Sequence, residues 1–317
     1  MLLPTSAGAF CREVTAPTPA GYDPSVRGCF SPAINTLTGG PSYELFWRNA
    51  CAGYSLARSA SSQVSLEDAT RLASRAFSAW SGVVCPGGGP PSILAVNEGP
   101  VDCSSVAYNP NAGNQHVIIF RDDGWPHSDP SSTLGLTTLT VDTSSGEIYD
   151  ADIEINSHDF TLLVDGAPMA AAGADAGPGG YDLLGILTHE AGHFLGLAHS
   201  DNPTAIMDAF YTPSEGPLTA DDVAGICAID DPSGAHSTNG GPIAAAACDP
   251  TPKNGFASDC VGTMAASLGV NPTMCATPSR CSASAGRPDP AGSGGALVAA
   301  LGLAAAVARR RARRLVG

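Results

Sequence analysis

Three of the chain's seven histidines fall between residues 189 and 199, inside the stretch HEAGHFLGLAHSDNPTAIMD that ends at Asp208. Residues four apart on a helix share a face one turn apart, so His189 and His193 can aim imidazole nitrogens at a single ion. Gly196 tolerates a positive φ, and a sharp turn there can swing His199 back as a third ligand. Neutral imidazoles suit zinc, and three protein ligands leave the fourth position open to water. Glu190, beside the first ligand, is placed to take a proton from that water as general base and hand it to a leaving amine as general acid. The bland reading is an amphipathic helix with incidental histidines, but H-E-x-x-H-x-x-G-x-x-H is too specific a spacing to favour it. The other four histidines, His116, His127, His158 and His236, read as surface or loop residues.

These side chains need elements to hold them. Asp182 can cap a helix through LLGILTHEAGHFLGL, which Gly196 ends. An earlier helix is marked by Leu66, Ala69, Leu72, Ala73, Ala76, Phe77 and Trp80 at intervals of three to four residues, with Ser65 and Asp68 imitating a capping box. Its apolar stripe should pack on a sheet. Strands are expected near Tyr54 to Ala57 and at SILAVN (92–97), HVIIF (116–120), LGLTTLTVD (134–142) and EIYDADIEIN (147–156), the last two joined by a TSSG turn. In the last of these, Ile148, Ala151, Ile153 and Ile155 are interrupted by Asp150, Asp152 and Glu154, which reads as a half-buried strand; calcium binding at the acids is the alternative. A closing helix, TADDVAGICAI, opens on Thr219 with Asp222 three residues later.

The rest of the chain sets bounds. At 317 residues with 43% apolar content, it can fold one good-sized core with appendages. Net charge is −15, and residues 1–308 carry 10 basic against 30 acidic groups because five arginines crowd the last nine residues. Such a body repels nucleic acid. Ten cysteines without close C-x-x-C pairs favour disulfides and an oxidising compartment. Pairing by sequence proximity would join Cys11 to Cys29 and Cys85 to Cys103, leaving Cys51 and Cys227 as a long-range pair.

The zinc signature HEAGHFLGLAHS followed by AIMD resembles the metzincin metallopeptidases with their Met-turn, and within them the matrixins. Ser200 directly after the third histidine, Met207, Tyr211 and the Asp-Asp pair of the closing helix carry that likeness over residues 45–231. The resemblance implies an α+β fold with a twisted five-stranded mixed sheet, one antiparallel edge strand, a backing helix, a zinc helix and a C-terminal helix. It implies one catalytic zinc on His189, His193 and His199, Glu190 as the catalytic residue, Met207 as an apolar floor, and Tyr211 in the wall of the substrate pocket. By the same likeness LGLTTLTVD is the edge on which an extended peptide would pair.

Three departures stand out. Ala209 replaces the proline usual two residues after the Met-turn methionine. The HSD at 127–129 resembles half of a structural zinc site whose two later histidines have no counterparts, so no second zinc is expected. No PRCGxPD cysteine switch is present, and the SRC at 279–281 is too weak a likeness to replace one.

Outside the catalytic domain, residues 1–9 resemble the stub of a signal peptide, with an uncleaved terminus as the plain alternative. Residues 10–44 read as an irregular arm, and 232–290 as a Pro/Gly/Ala-rich linker. Residues 291–317 combine an uncharged run of eighteen with an arginine cluster, which reads as an apolar helix anchoring the chain at a membrane. With Cys281 ahead of it, this tail resembles myxobacterial C-terminal sorting signals. A soluble Ala-rich helix is the competing reading. The sequence therefore points to a monomeric, secreted or surface-held zinc endopeptidase acting on protein or peptide substrates. Its rivals are a zinc-bearing surface binding or adhesion module without turnover and a structural envelope protein defined by its anchor.

Overall fold

The computed structural model describes residues 10–19, 22–164, 180–211, 217–258 and 260, with the backbone of 301–306. Five strands, β1 (Cys51–Ala57), β2 (Leu94–Val101), β3 (Val117–Phe120), β4 (Thr133–Val141) and β5 (Ile148–Ile155), form a mixed sheet in the order β2-β1-β3-β5-β4. Within this group only β4 and β5 run antiparallel. The expected strands are all present within a few residues of their predicted limits.

Helix α1 (Leu66–Ser81) begins where Ser65 accepts a hydrogen bond from the Asp68 amide, and its stripe from Ala69 to Trp80 is buried. Phe77 stacks on Tyr54 of β1 at 4.2 Å between ring centroids and meets Phe194 edge-on at 5.1 Å. Helix α2 (Leu183–Phe194), capped by Asp182, is buried along almost its whole length. Two indoles fix it: Trp80 Nε1 donates to the Thr188 carbonyl and Trp47 Nε1 to the Phe194 carbonyl, each at 2.8 Å. Helix α3 (Ala220–Ile229) starts with the capping box of Thr219 and Asp222. Among the described residues no helix is long and apolar enough to cross a membrane.

Several expectations change here. Among the described residues four disulfides are formed, Cys11–Cys29, Cys51–Cys248, Cys85–Cys227 and Cys103–Cys260. Only the first matches pairing by proximity; the others join segments that the sheet and helices bring together from far apart. Consequently residues 232–258, expected as linker, fold onto the domain through two short strands, Ala235–His236 and Ile243–Ala244, and through Cys248.

Strand β5 is not half solvated: Asp150, Asp152 and Glu154 are each no more than 2% exposed. Asp152 accepts from the Val117 amide, and Glu154 takes Arg121 on one oxygen and His127 on the other. That engagement accounts for Asp152 and Glu154 by internal hydrogen bonds, whereas Asp150 Oδ1 is buried with no hydrogen-bond partner among the described residues. His116 and His236 are buried as well, bonded to the Gly53 carbonyl and to Asp230, whereas His158 is exposed.

Residues Leu301–Ala306, within the run expected as an apolar helix, form a strand, β6, paired antiparallel with the outer edge of β4. The segments 1–9, 165–179, 261–300 and 307–317, with Cys275 and Cys281, lie outside the described residues.

Candidate metal centre

The three histidines converge. Ring nitrogens of His189, His193 and His199 lie within 4.8 Å of one another, and all three residues are buried. His189 and His193 come from consecutive turns of α2, with Nε2 atoms 3.1 Å apart. Each is held from behind: His189 Nδ1 donates to the Ile206 carbonyl at 2.7 Å and His193 Nδ1 to the Leu197 carbonyl at 2.8 Å. Because a carbonyl only accepts, both rings carry their proton on Nδ1, and the Nε2 lone pairs face the shared point. His199 arrives after Gly196, whose φ is +98°. Its Nε2 is buried with no hydrogen-bond partner among the described residues.

Burial pushes the imidazoles of His189 and His193 down, to about 3 and about 4, and that of His199 well below its ordinary value. Neighbouring imidazoles add to this at His189 and His199. Three neutral rings with inward lone pairs and an orphaned buried nitrogen are the donor set of a tetrahedral zinc site with an open position. The residues fit the ion.

The Met-turn lies beneath. Met207 is buried, and a Cβ at position 192 would collide with its sulfur and with Trp80, so Gly192 is what lets the thioether come up under the helix. The turn is tied down by α3, which sequence spacing alone did not assign to this task. Asp222 accepts from the Ile206 and Met207 amides, at 3.0 and 3.2 Å, while Asp221 accepts from Ser200 Oγ at 2.6 Å. One acid thus steadies the carbonyl behind His189, and the other steadies the residue after His199.

Glu190 is fully buried beside the first ligand. Thr137 of β4 donates to its Oε2 at 2.6 Å, while Oε1 has no partner among the described residues. Burial raises the carboxyl to about 8, with the Thr137 bond opposing. A Cβ at Gly135 would sit 2.6 Å from Oε1, so the glycine clears the space over that oxygen. Thr137 and Gly135 lie more than fifty residues from Glu190, and no local pattern announces them.

Tyr211 and Leu134 line a pocket next to His189 and Glu190, closed further by Ile186 and Phe210. The Tyr211 hydroxyl accepts from the Asp182 amide at 2.9 Å, which docks this wall on the cap of α2. At the HSD sequence, His127 Nε2 is committed to Glu154 at 2.7 Å, and Arg121 holds the same carboxylate.

Residues 46–230, which contain β1 to β5 and α1 to α3, match the model of the matrixin family. The chain is 27% identical over 196 residues to matrix metalloproteinase-20 of Homo sapiens, covering 59% of this chain and 34% of that protein. It is 28% identical over 218 residues to matrix metalloproteinase-C of Caenorhabditis elegans, covering 64% and 32%. A probable matrix metalloproteinase, 095L, of Invertebrate iridescent virus 3 is 31% identical over 119 residues, covering 36% and 29%. The matched stretch thus spans about a third of the length of these relatives.

Proposed function

The chain belongs to the matrixin family, and from that membership we propose that it is a zinc-dependent endopeptidase that cleaves extracellular proteins or peptides. One observation carries the reading: three buried imidazoles turn free Nε2 atoms to one point, with the unpartnered oxygen of Glu190 in the adjoining pocket. His189, His193 and His199 would hold the metal. When bound, zinc supplies a Lewis acid that polarises a carbonyl and eases ionisation of water.

The remaining work falls to the chain's own groups. Glu190 Oε1 takes the proton of the attacking water, while Thr137 pins Oε2 and so fixes the carboxylate's direction. Low solvent access raises the carboxyl's proton affinity, which suits a group that must hold a proton before releasing it to the leaving amine. A peptide side chain would enter the pocket walled by Tyr211. Its backbone would lie along the outer edge of β4, whose capacity to take an antiparallel strand is exercised by β6. Disulfides at Cys11–Cys29, Cys51–Cys248, Cys85–Cys227 and Cys103–Cys260 support an oxidising, extracellular setting.

The test is cleavage profiling of a peptide library by the full chain with zinc, with chelator, and as Glu190→Gln. Chelation should abolish cleavage. The substitution should lower kcat about 10²- to 10⁴-fold, the usual contribution of a general base, while one zinc per chain is retained. Cleavage indifferent to both treatments would remove the assignment and favour a binding module.

A further inference from the structure

The irregular arm ahead of the matrixin domain reaches the metal centre. Cys11 and Arg12 pair antiparallel with Ala198 and Leu197, and the Glu13 amide donates to the Gly196 carbonyl at 2.9 Å. The arm therefore clamps the three residues that connect the second histidine's turn to the third histidine. It is itself secured by Cys11–Cys29, by Arg12 bonds to Glu44, the Leu45 carbonyl and the Ser237 carbonyl, and by the Leu45 amide on the Glu13 carbonyl.

At the centre of this clamp the Glu13 side chain turns inward. It is 2% exposed, and its Oε1 lies 3.5 Å from His193 Nδ1 with no hydrogen-bond partner among the described residues. A carboxyl oxygen buried without a partner costs free energy, so its retention at the back of a metal ligand calls for a use. Residue 13 also precedes the stretch 46–230 that matches the family, so this contact is supplied by a segment outside it.

Resting on the zinc reading above, we propose that Glu13 is a positioning residue of the metal centre. Its carboxyl and the Leu197 carbonyl bracket the outer N–H of His193, fix the ring plane with Nε2 toward the ion, and raise the ring's basicity as a ligand. The arm thereby becomes part of the zinc scaffold, acting on His193 directly and on His199 through the clamped turn.

The experiment compares the oxidised full chain with Glu13→Met and Glu13→Gln. Zinc affinity is measured by chelator competition, the visible spectrum after cobalt substitution, and the melting temperature without metal. Methionine keeps the volume and removes the orphaned oxygen, so the metal-free Glu13→Met chain should melt at or above the wild-type temperature. Its zinc affinity should nevertheless fall about 10- to 100-fold with a shifted cobalt band, as loss of such a partner to a ligand histidine does. Glutamine, which keeps an acceptor, should recover part of the affinity.

A role confined to packing predicts the reverse, a lower melting temperature with affinity unchanged. Zinc affinity within threefold of wild type in Glu13→Met overturns the proposal; if that variant does not fold, the same bound applied to Glu13→Leu, which also lacks the acceptor, decides it. A wild-type chain that binds no zinc would instead overturn the metal-centre reading, and is told apart by that control.

Discussion

Gly192 shows how one residue is fixed by two competing effects. Alanine is favoured over glycine inside a helix by about 1 kcal/mol. Against this, a Cβ at 192 would strike the Met207 sulfur and the Trp80 ring, and overpacking a tight core costs about 1–3 kcal/mol. The collision wins, so Gly192→Ala should lower the metal-free melting temperature; a variant that melts higher would show that Met207 and Trp80 yield at no cost. The histidines were legible because their geometry is local, set by one helical turn and one glycine. Thr137, Gly135, Trp80 and Glu13 were not, since each meets the centre across 50 to 180 residues of chain that only the fold shortens. Asp221 and Asp222 were recognised as a motif, yet their task of holding Ser200 and the Met-turn appears only once α3 is docked.

Strand β5 carries the same lesson at the level of the element. Alternation of Ile148, Ala151, Ile153 and Ile155 with acids correctly marks a strand, and the usual inference is that the acidic face meets water. Here that face is covered: Asp152 receives the Val117 amide, Asp150 lies 3.6 Å from His116, and Tyr149 is stacked on Tyr108 and capped by Lys253. Burial first, and then the neighbouring Glu154, outweigh the hydrogen bonds with the Val117 and Ala107 amides and the Asp150 side chain, and leave the Asp152 carboxyl raised to about 7. Because this folded value lies above the unfolded one of about 3.9, the native state binds the extra proton, and stability is lost as pH rises from about 4 through 7. Asp152→Asn keeps an acceptor for Val117 without the charge. Its melting temperature should therefore exceed that of wild type more at pH 8 than at pH 4, and equal differences at the two pH values would contradict the burial argument.

Over the whole molecule, the order of the main strands and helices was readable because each element carries its own periodicity and cap. Cysteine pairing and the fate of residues 232–258 were not, because both depend on which surfaces meet. The same holds for the tail, whose apolar run satisfies either a helix or a strand until an open sheet edge decides. With β6 seated on β4, an incoming peptide must displace Leu301–Ala306 before it can pair there. Ending the chain after Cys260, which spares all four disulfides, should lower KM for an extended peptide several-fold and leave kcat near its full-chain value. Equal KM values would mean that the tail does not compete for that edge.

The cysteine connectivity also dictates an order of events as the chain emerges from its N-terminus. Cys11 can meet Cys29 once the 18 positions that separate them have emerged, but Cys51, Cys85 and Cys103 must wait for partners at 248, 227 and 260. Until then three thiols stand open to wrong marriages with one another. The arm behind the second imidazole is thus the first part to be locked, and the stretch from Cys227 to Cys260 is the latch that closes everything else.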